Sequence, residues 1–145
     1  MSPTRHVMAS AATSAVFFGV TRSWPATIVC FFSGILIDID HHFDLWIYKK
    51  KILFHIKHIY DFCEKEKEGK LYLIFHSYEF LAVLWICLIG FRLSVLWWGL
   101  AVGVTVHMIL DQIGNTVQPF TYFLCYRIKN GFTKASLFPS DYYKQ

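Results

Sequence analysis

Four residues of types that bind metals, Asp38, Asp40, His41 and His42, fall within five positions at the end of an apolar run that starts near Trp24. A carboxylate at the end of a membrane-grade helix is costly unless something compensates its charge, and a metal ion does so. Two further pairs share this chemistry. His76 and Glu79 are spaced i, i+3, and His107 and Asp111 are spaced i, i+4, so each pair lies on one face of a helix. Helix bundles assemble carboxylate-and-imidazole metal sites from such pairs. Imidazole and carboxylate without thiolate suit zinc first, with manganese or iron as alternatives. The expected ligands are His6, Asp40, His41, His76, His107 and Asp111, with Asp38 and Glu79 as catalytic base or orienting partner. These exceed the four of a closed tetrahedral site, which implies one open ion with supporting partners, or two ions. Neighbours on a helix diverge by about 100°, so His41 is assigned inward and His42 outward. Asp44, His55 and His58 are expected to be solvated. The four cysteines form no CxxC and are read as reduced apolar fillers.

Such ligands need elements to carry them, and composition indicates which kind. Hydrophobic residues make up 55% of the 145 and aromatics 19%, values of an integral membrane protein rather than a soluble domain. The expected fold is an all-α integral membrane protein: a four-transmembrane-helix bundle forming a single domain over 1–145. Spans are expected at about 6–20, 24–40, 71–91 and 93–113. A long cytoplasmic loop fills 43–70, and an interfacial or cytoplasmic tail fills 114–145. The first span is rich in Ala, Ser and Thr, small residues that let helices approach closely in a bilayer. It is read as a retained helix rather than a cleaved signal, because no clean small-x-small site precedes Trp24-Pro25. Pro25 suits a first helical turn. Only Gly90-Phe91-Arg92 separates the last two spans, so they form a tight pair.

Four spans place the N-terminus, the long loop and the C-terminus on one side. That side holds twelve of the fourteen Lys and Arg residues; Arg22 and Arg92 are the other two. The positive-inside rule then puts both termini in the cytoplasm of a cell whose inner membrane the chain spans. The net charge of +4 belongs to these loops, and no nucleic-acid-binding motif accompanies it. Lys49, Lys50 and Lys51 could hold anionic lipid headgroups or simply set topology. In this topology His6, the Asp38–His42 cluster, His76/Glu79 and His107/Asp111 all come to the cytoplasmic ends of their spans.

The pattern resembles a known family. A His opening the first span, Gly34-x-x-x-Asp38-x-Asp40-His41 closing the second, His76-Ser77 opening the third and His107-x-x-x-Asp111 in the fourth are similar to a set of small prokaryotic inner-membrane proteins. These are described as membrane-bound metal-dependent hydrolases, some also labelled LexA-binding or damage-inducible. The run from Asp111 to Pro119-Phe120 adds to the resemblance, which covers most of 6–120 outside the long loop. Members often carry a His-Arg-Gly-x-Thr-His-Ser block, of which this chain keeps only His76-Ser77; Glu79, one turn on, is the candidate replacement for the missing histidine. The resemblance implies a metal-dependent hydrolase at the cytoplasmic face. With it, the residues lead to the expectation of a phosphoester substrate, lipid or membrane-proximal. The alternatives are a metal transporter or channel subunit, and a membrane scaffold held by a structural metal or polar cluster. The lack of a polar path through the far half of the spans weighs against transport.

Overall fold

Pro25 occupies the first turn of a helix that begins at Trp24, with Ser23 extended before it. Arg22, left-handed at φ 52°, ends the preceding helix and turns the chain. Arg92, at φ 50°, does the same before Ser94, the N-cap of the longest helix. A computed structural model describes residues 3–50 and 69–139. In chain order the helices are α1 (Pro3–Thr21), α2 (Trp24–Leu36), α3 (Ile39–Lys49), α4 (Tyr78–Gly90), α5 (Val95–Gly114), α6 (Leu124–Lys129) and α7 (Lys134–Leu137). Among the described residues the protein is all-α; Lys70 and Thr133 form one isolated antiparallel bridge.

Two stretches are long and apolar enough to cross a membrane, Trp24–Ile47 and Val95–Gly114. The expected third span is shorter than the hydropathy suggests. Leu71–Ser77 is not helical, and the 13 residues of α4 reach only about 20 Å at 1.5 Å each. The polar region expected from Phe43 onward is instead the continuation of α3 as far as Lys49. Lys51, His55, His58 and Cys63 lie outside the described residues, as does most of the expected loop.

The chain divides into two compact units, Met1–Ile37 with Glu79–Asn115, and Asp38–Tyr78 with Thr116–Gln145. In the first, α1, α2 and α5 pack on one another. Leu84 and Leu88 of α4 cluster with Ala101 of α5, and the Trp85 indole donates to Thr105 Oγ1 at 3.0 Å. α2 and α5 approach closely at Gly99 and Gly103. A Cβ at Gly99 would meet the Ala26 carbonyl, and one at Gly103 would meet the Ser33 hydroxyl and the Cys30 carbonyl. The second unit has its own core of Leu45, Leu71, Leu73 and Leu137, flanked by Tyr126 and Phe138.

Along α1 and α3, polar side chains are buried and large apolar ones exposed. In α1, His6, Ser10 and Ser14 are buried, whereas Val20 is 81% exposed. In α3, Asp44 is 1% exposed and Trp46 50%. The exposed Ile39, Phe43, Trp46 and Ile47 recur at helical spacing along one apolar stripe of α3. Polar residues face inward and large apolar residues outward, an order that water penalises and hydrocarbon permits.

Gly103→Leu should wedge α2 from α5, because the side chain would meet backbone that cannot rotate away. Overpacking of this kind costs about 1–3 kcal/mol or more, and thermal unfolding in detergent should show a lowered Tm. Gly19→Ala, where a Cβ meets nothing within 4 Å, should leave Tm unchanged or raise it.

Candidate metal centre

The last carbonyls of any helix lack partners from their own helix. α2 ends at Leu36, and His107 of α5 takes one of these carbonyls, its Nδ1 lying 2.8 Å from Gly34 O. A carbonyl can only accept, so Nδ1 carries the proton. In a neutral ring Nε2 is then an unprotonated lone pair. That Nε2 stands 3.3 Å from Asp111 Oδ2. Two acceptors at this distance repel unless a cation or a proton lies between them. Histidines that bind metals commonly direct their other ring N–H to a carbonyl in this way.

His6 of α1 completes the first set. Its ring stacks on His107 with centroids 4.0 Å apart, and its Nε2 lies 3.1 Å from Asp111 Oδ1. His6 Nδ1 is buried and has no hydrogen-bond partner among the described residues. Asp111 thus has an imidazole at each oxygen, all three groups being buried.

The second set lies in the other unit and places a carboxylate at each nitrogen of one imidazole. His76 Nδ1 faces Asp40 Oδ2 at 3.4 Å, long for a hydrogen bond, and its Nε2 faces Asp38 Oδ1 at 3.5 Å. Asp40 orients the ring and Asp38 faces its outer nitrogen, which makes Asp40 a support for the imidazole. The His41 ring lies 5.0 Å from that of His76, and its Nε2 is 4.0 Å from Asp38 Oδ1. His42 is half-buried on α3. Glu79, in the first turn of α4, is also half-buried.

Donors bound at about 2.0–2.1 Å to a tetrahedral ion sit roughly 3.3–3.4 Å apart. The His107–Asp111 separation matches this spacing and the His76–Asp38 separation is slightly wider. Among the described residues, the groups that could hold a metal ion are Asp38 and His76 in one unit and His107 and Asp111 in the other.

His76 is carried by residues 71–77, which have no regular secondary structure, so side chains satisfy their backbone. Asp44 accepts from Leu73 N at 3.2 Å, and Asp40 accepts from Phe75 N at 2.7 Å and His76 N at 3.2 Å. Arg127 of α6 donates to the carbonyls of Tyr72, Leu73 and His76. Ser77 Oγ donates to Ile74 O. Leu73 is left-handed, φ 44°, a conformation costing about 1–3 kcal/mol that the bonds on both sides of it hold in place.

Three of these placements differ from the sequence reading. Asp44, expected in solvent, is buried beneath residues 71–77. Arg127 and Lys134, assigned to a polar tail, are fully buried. Basic residues beyond the last span read as topology signals, and nothing in their local sequence separates a buried arginine from an exposed one. The tail folds back within its own unit, where Tyr78 N donates to Tyr122 O at 2.9 Å.

The chain matches no family model, no curated protein and no solved structure. Its class therefore rests on its own chemistry: an all-α protein with two stretches long and apolar enough to cross a membrane and with paired imidazole–carboxylate sets.

Asp40→Ala removes the acceptor of two amides, and a buried donor left without a partner costs about 1–3 kcal/mol. Hydrogen exchange at Phe75 and His76 should accelerate by at least tenfold, while exchange within α5 stays at the wild-type rate.

Proposed function

We propose that this chain is a multi-pass protein of the cytoplasmic membrane, with both termini in the cytoplasm, that holds a divalent metal ion and hydrolyses a phosphoester of a lipid or membrane-proximal substrate. The polarity of His107 carries the metal assignment: Gly34 O fixes its proton on Nδ1 and leaves Nε2 directed at Asp111. The inward-facing polar residues of α1 and α3 support the membrane reading, as do the two long apolar helices. The distribution of Lys and Arg, twelve against two, supports the orientation. A four-span arrangement of α1, the Trp24–Ile47 stretch, α4 with the residues before it, and α5 is part of this proposal.

Each side chain then has a defined task. His107 and Asp111, and His76 and Asp38, hold the ion or ions, zinc by ligand type and manganese or iron as the other candidates. The resemblance to the hydrolase family extends the set to His6 and His41. The bound metal supplies Lewis acidity toward water and toward a phosphoryl oxygen. Gly34 O keeps the His107 imidazole in the tautomer with Nε2 toward Asp111, and Asp40 orients the His76 ring. Asp38, whose side chain stays 37% exposed, and Glu79 are the carboxylates available to accept a proton from water. Lys50, exposed beyond α3, could meet an anionic headgroup; Lys51 lies outside the described residues.

A scaffold reading has one observation in its favour. Asp111 between two imidazoles would also be satisfied by a protonated histidine, an ion pair needing no metal.

Metal analysis of gently extracted protein decides between the two. The hydrolase reading expects one or two transition-metal ions per chain, and loss of metal in a His107→Ala, Asp111→Ala double variant. Chelator-sensitive turnover of a phospholipid or phosphate ester should fall by at least about 100-fold in that variant. Wild-type protein without stoichiometric metal would sink the reading and leave the ion-paired scaffold. Reporter fusions at either end should both report the cytoplasm; a terminus found outside overturns the orientation.

A further inference from the structure

Arg127 is 0% exposed, and its guanidinium donates three hydrogen bonds to one short stretch of backbone. Nη1 reaches Tyr72 O and Leu73 O, each at 2.6 Å, and Nη2 reaches His76 O at 2.8 Å. A planar fork with fixed donor directions suits two anchor points three or four residues apart, which a lysine ammonium cannot hold in the same way. The arginine is itself anchored: its N–H donates to Phe123 O at 3.2 Å and its carbonyl accepts from Phe132 N at 2.8 Å. From the other side, Asp44 holds Leu73 N and Asp40 holds the amides of Phe75 and His76. Residues 72–76 are therefore gripped through their carbonyls by a cation and through their amides by two carboxylates.

We propose that Arg127 is the positioning residue for His76. By fixing the carbonyls on either side of Ile74–Phe75, it sets the imidazole with Nδ1 at Asp40 and Nε2 at Asp38. Part of this assignment rests on the metal reading, because the consequence of a well-placed His76 is a well-placed ligand. The other part, the tautomer and orientation of the ring, is independent of any metal. Plugging a buried hole would require only bulk at position 127. Holding His76 requires the fork.

The test compares wild-type protein with Arg127→Lys and Arg127→Met, in detergent, by two measurements. Cobalt(II) titration reads the ligand set, and 15N spectra of the histidine side chains, with His76→Gln giving the assignment, read the His76 tautomer. Removing a residue that orients a ligand weakens metal binding by about 10–100-fold. Arg127→Met should show that loss, together with a shift of the His76 side-chain 15N signals away from their wild-type positions. Arg127→Lys should lie between it and wild type. If Arg127→Met does not fold, Arg127→Lys carries the comparison alone. Variants that melt earlier but keep wild-type cobalt affinity and the wild-type His76 tautomer overturn the proposal and leave the metal reading standing. Wild-type protein that binds no cobalt, with a His76 tautomer that still shifts in the variants, sinks the metal reading and leaves the positioning role. Wild-type protein that binds no cobalt, with an unshifted His76 in the variants, removes both.

Discussion

A helix that ends inside an apolar environment leaves carbonyls that water cannot reach, and in this protein His107 answers the one at Gly34. That single bond between helices has consequences in both directions. It satisfies the end of α2 and settles which nitrogen of His107 carries the proton. The other nitrogen is thereby directed at Asp111, itself flanked by His6. A ring satisfied only by solvent could choose its tautomer; one bonded to a main-chain carbonyl cannot. The close approach of α2 and α5 at Gly99 and Gly103 is what makes the bond possible, because bulk at either position would move the helices apart.

The second unit also sets imidazole against carboxylate, by a different construction. Here the histidine sits on a stretch without regular secondary structure, and charged side chains substitute for the missing backbone ladder. Asp40 and Asp44 accept from its amides, and Arg127 donates to its carbonyls. Burying a guanidinium and two carboxylates is expensive in an apolar setting unless every donor and acceptor finds a partner. Charge-assisted bonds to backbone are stronger than neutral ones, and they hold Leu73 in a conformation leucine seldom adopts. His76 is placed by a local framework whose members are far apart in sequence.

Much of the helical architecture was legible from hydropathy. The apolar runs, the proline at the start of α2 and the short connection before α5 mark helices close to where they form. The i, i+4 spacing of His107 and Asp111 places them on one helical face, and the structure has their side chains 3.3 Å apart. The third apolar run misleads at its beginning. Leu71–Phe75 is as hydrophobic as the helix that follows, yet two leucines of that stretch, Leu71 and Leu73, serve the core of the second unit instead of a span. Hydropathy measures how much a segment avoids water and says little about which partner it buries against.

The sequence by itself determined the all-α class, the positions of the apolar runs, the bias in basic charge and the presence of imidazole and carboxylate at helix-compatible spacings. Those are properties of composition and local period, and they survive without knowledge of any distant contact. Tertiary structure alone decided that Asp40 supports His76 from beneath, that Asp44 is buried rather than solvated, and that Arg127 of the tail grips residues 72–76. Each of these depends on backbone groups left unpaired in one segment being met by side chains from another, at separations of 29 to 55 residues. No local pattern encodes that meeting, because a side chain that bonds a remote carbonyl has the same neighbours in sequence as one that bonds water.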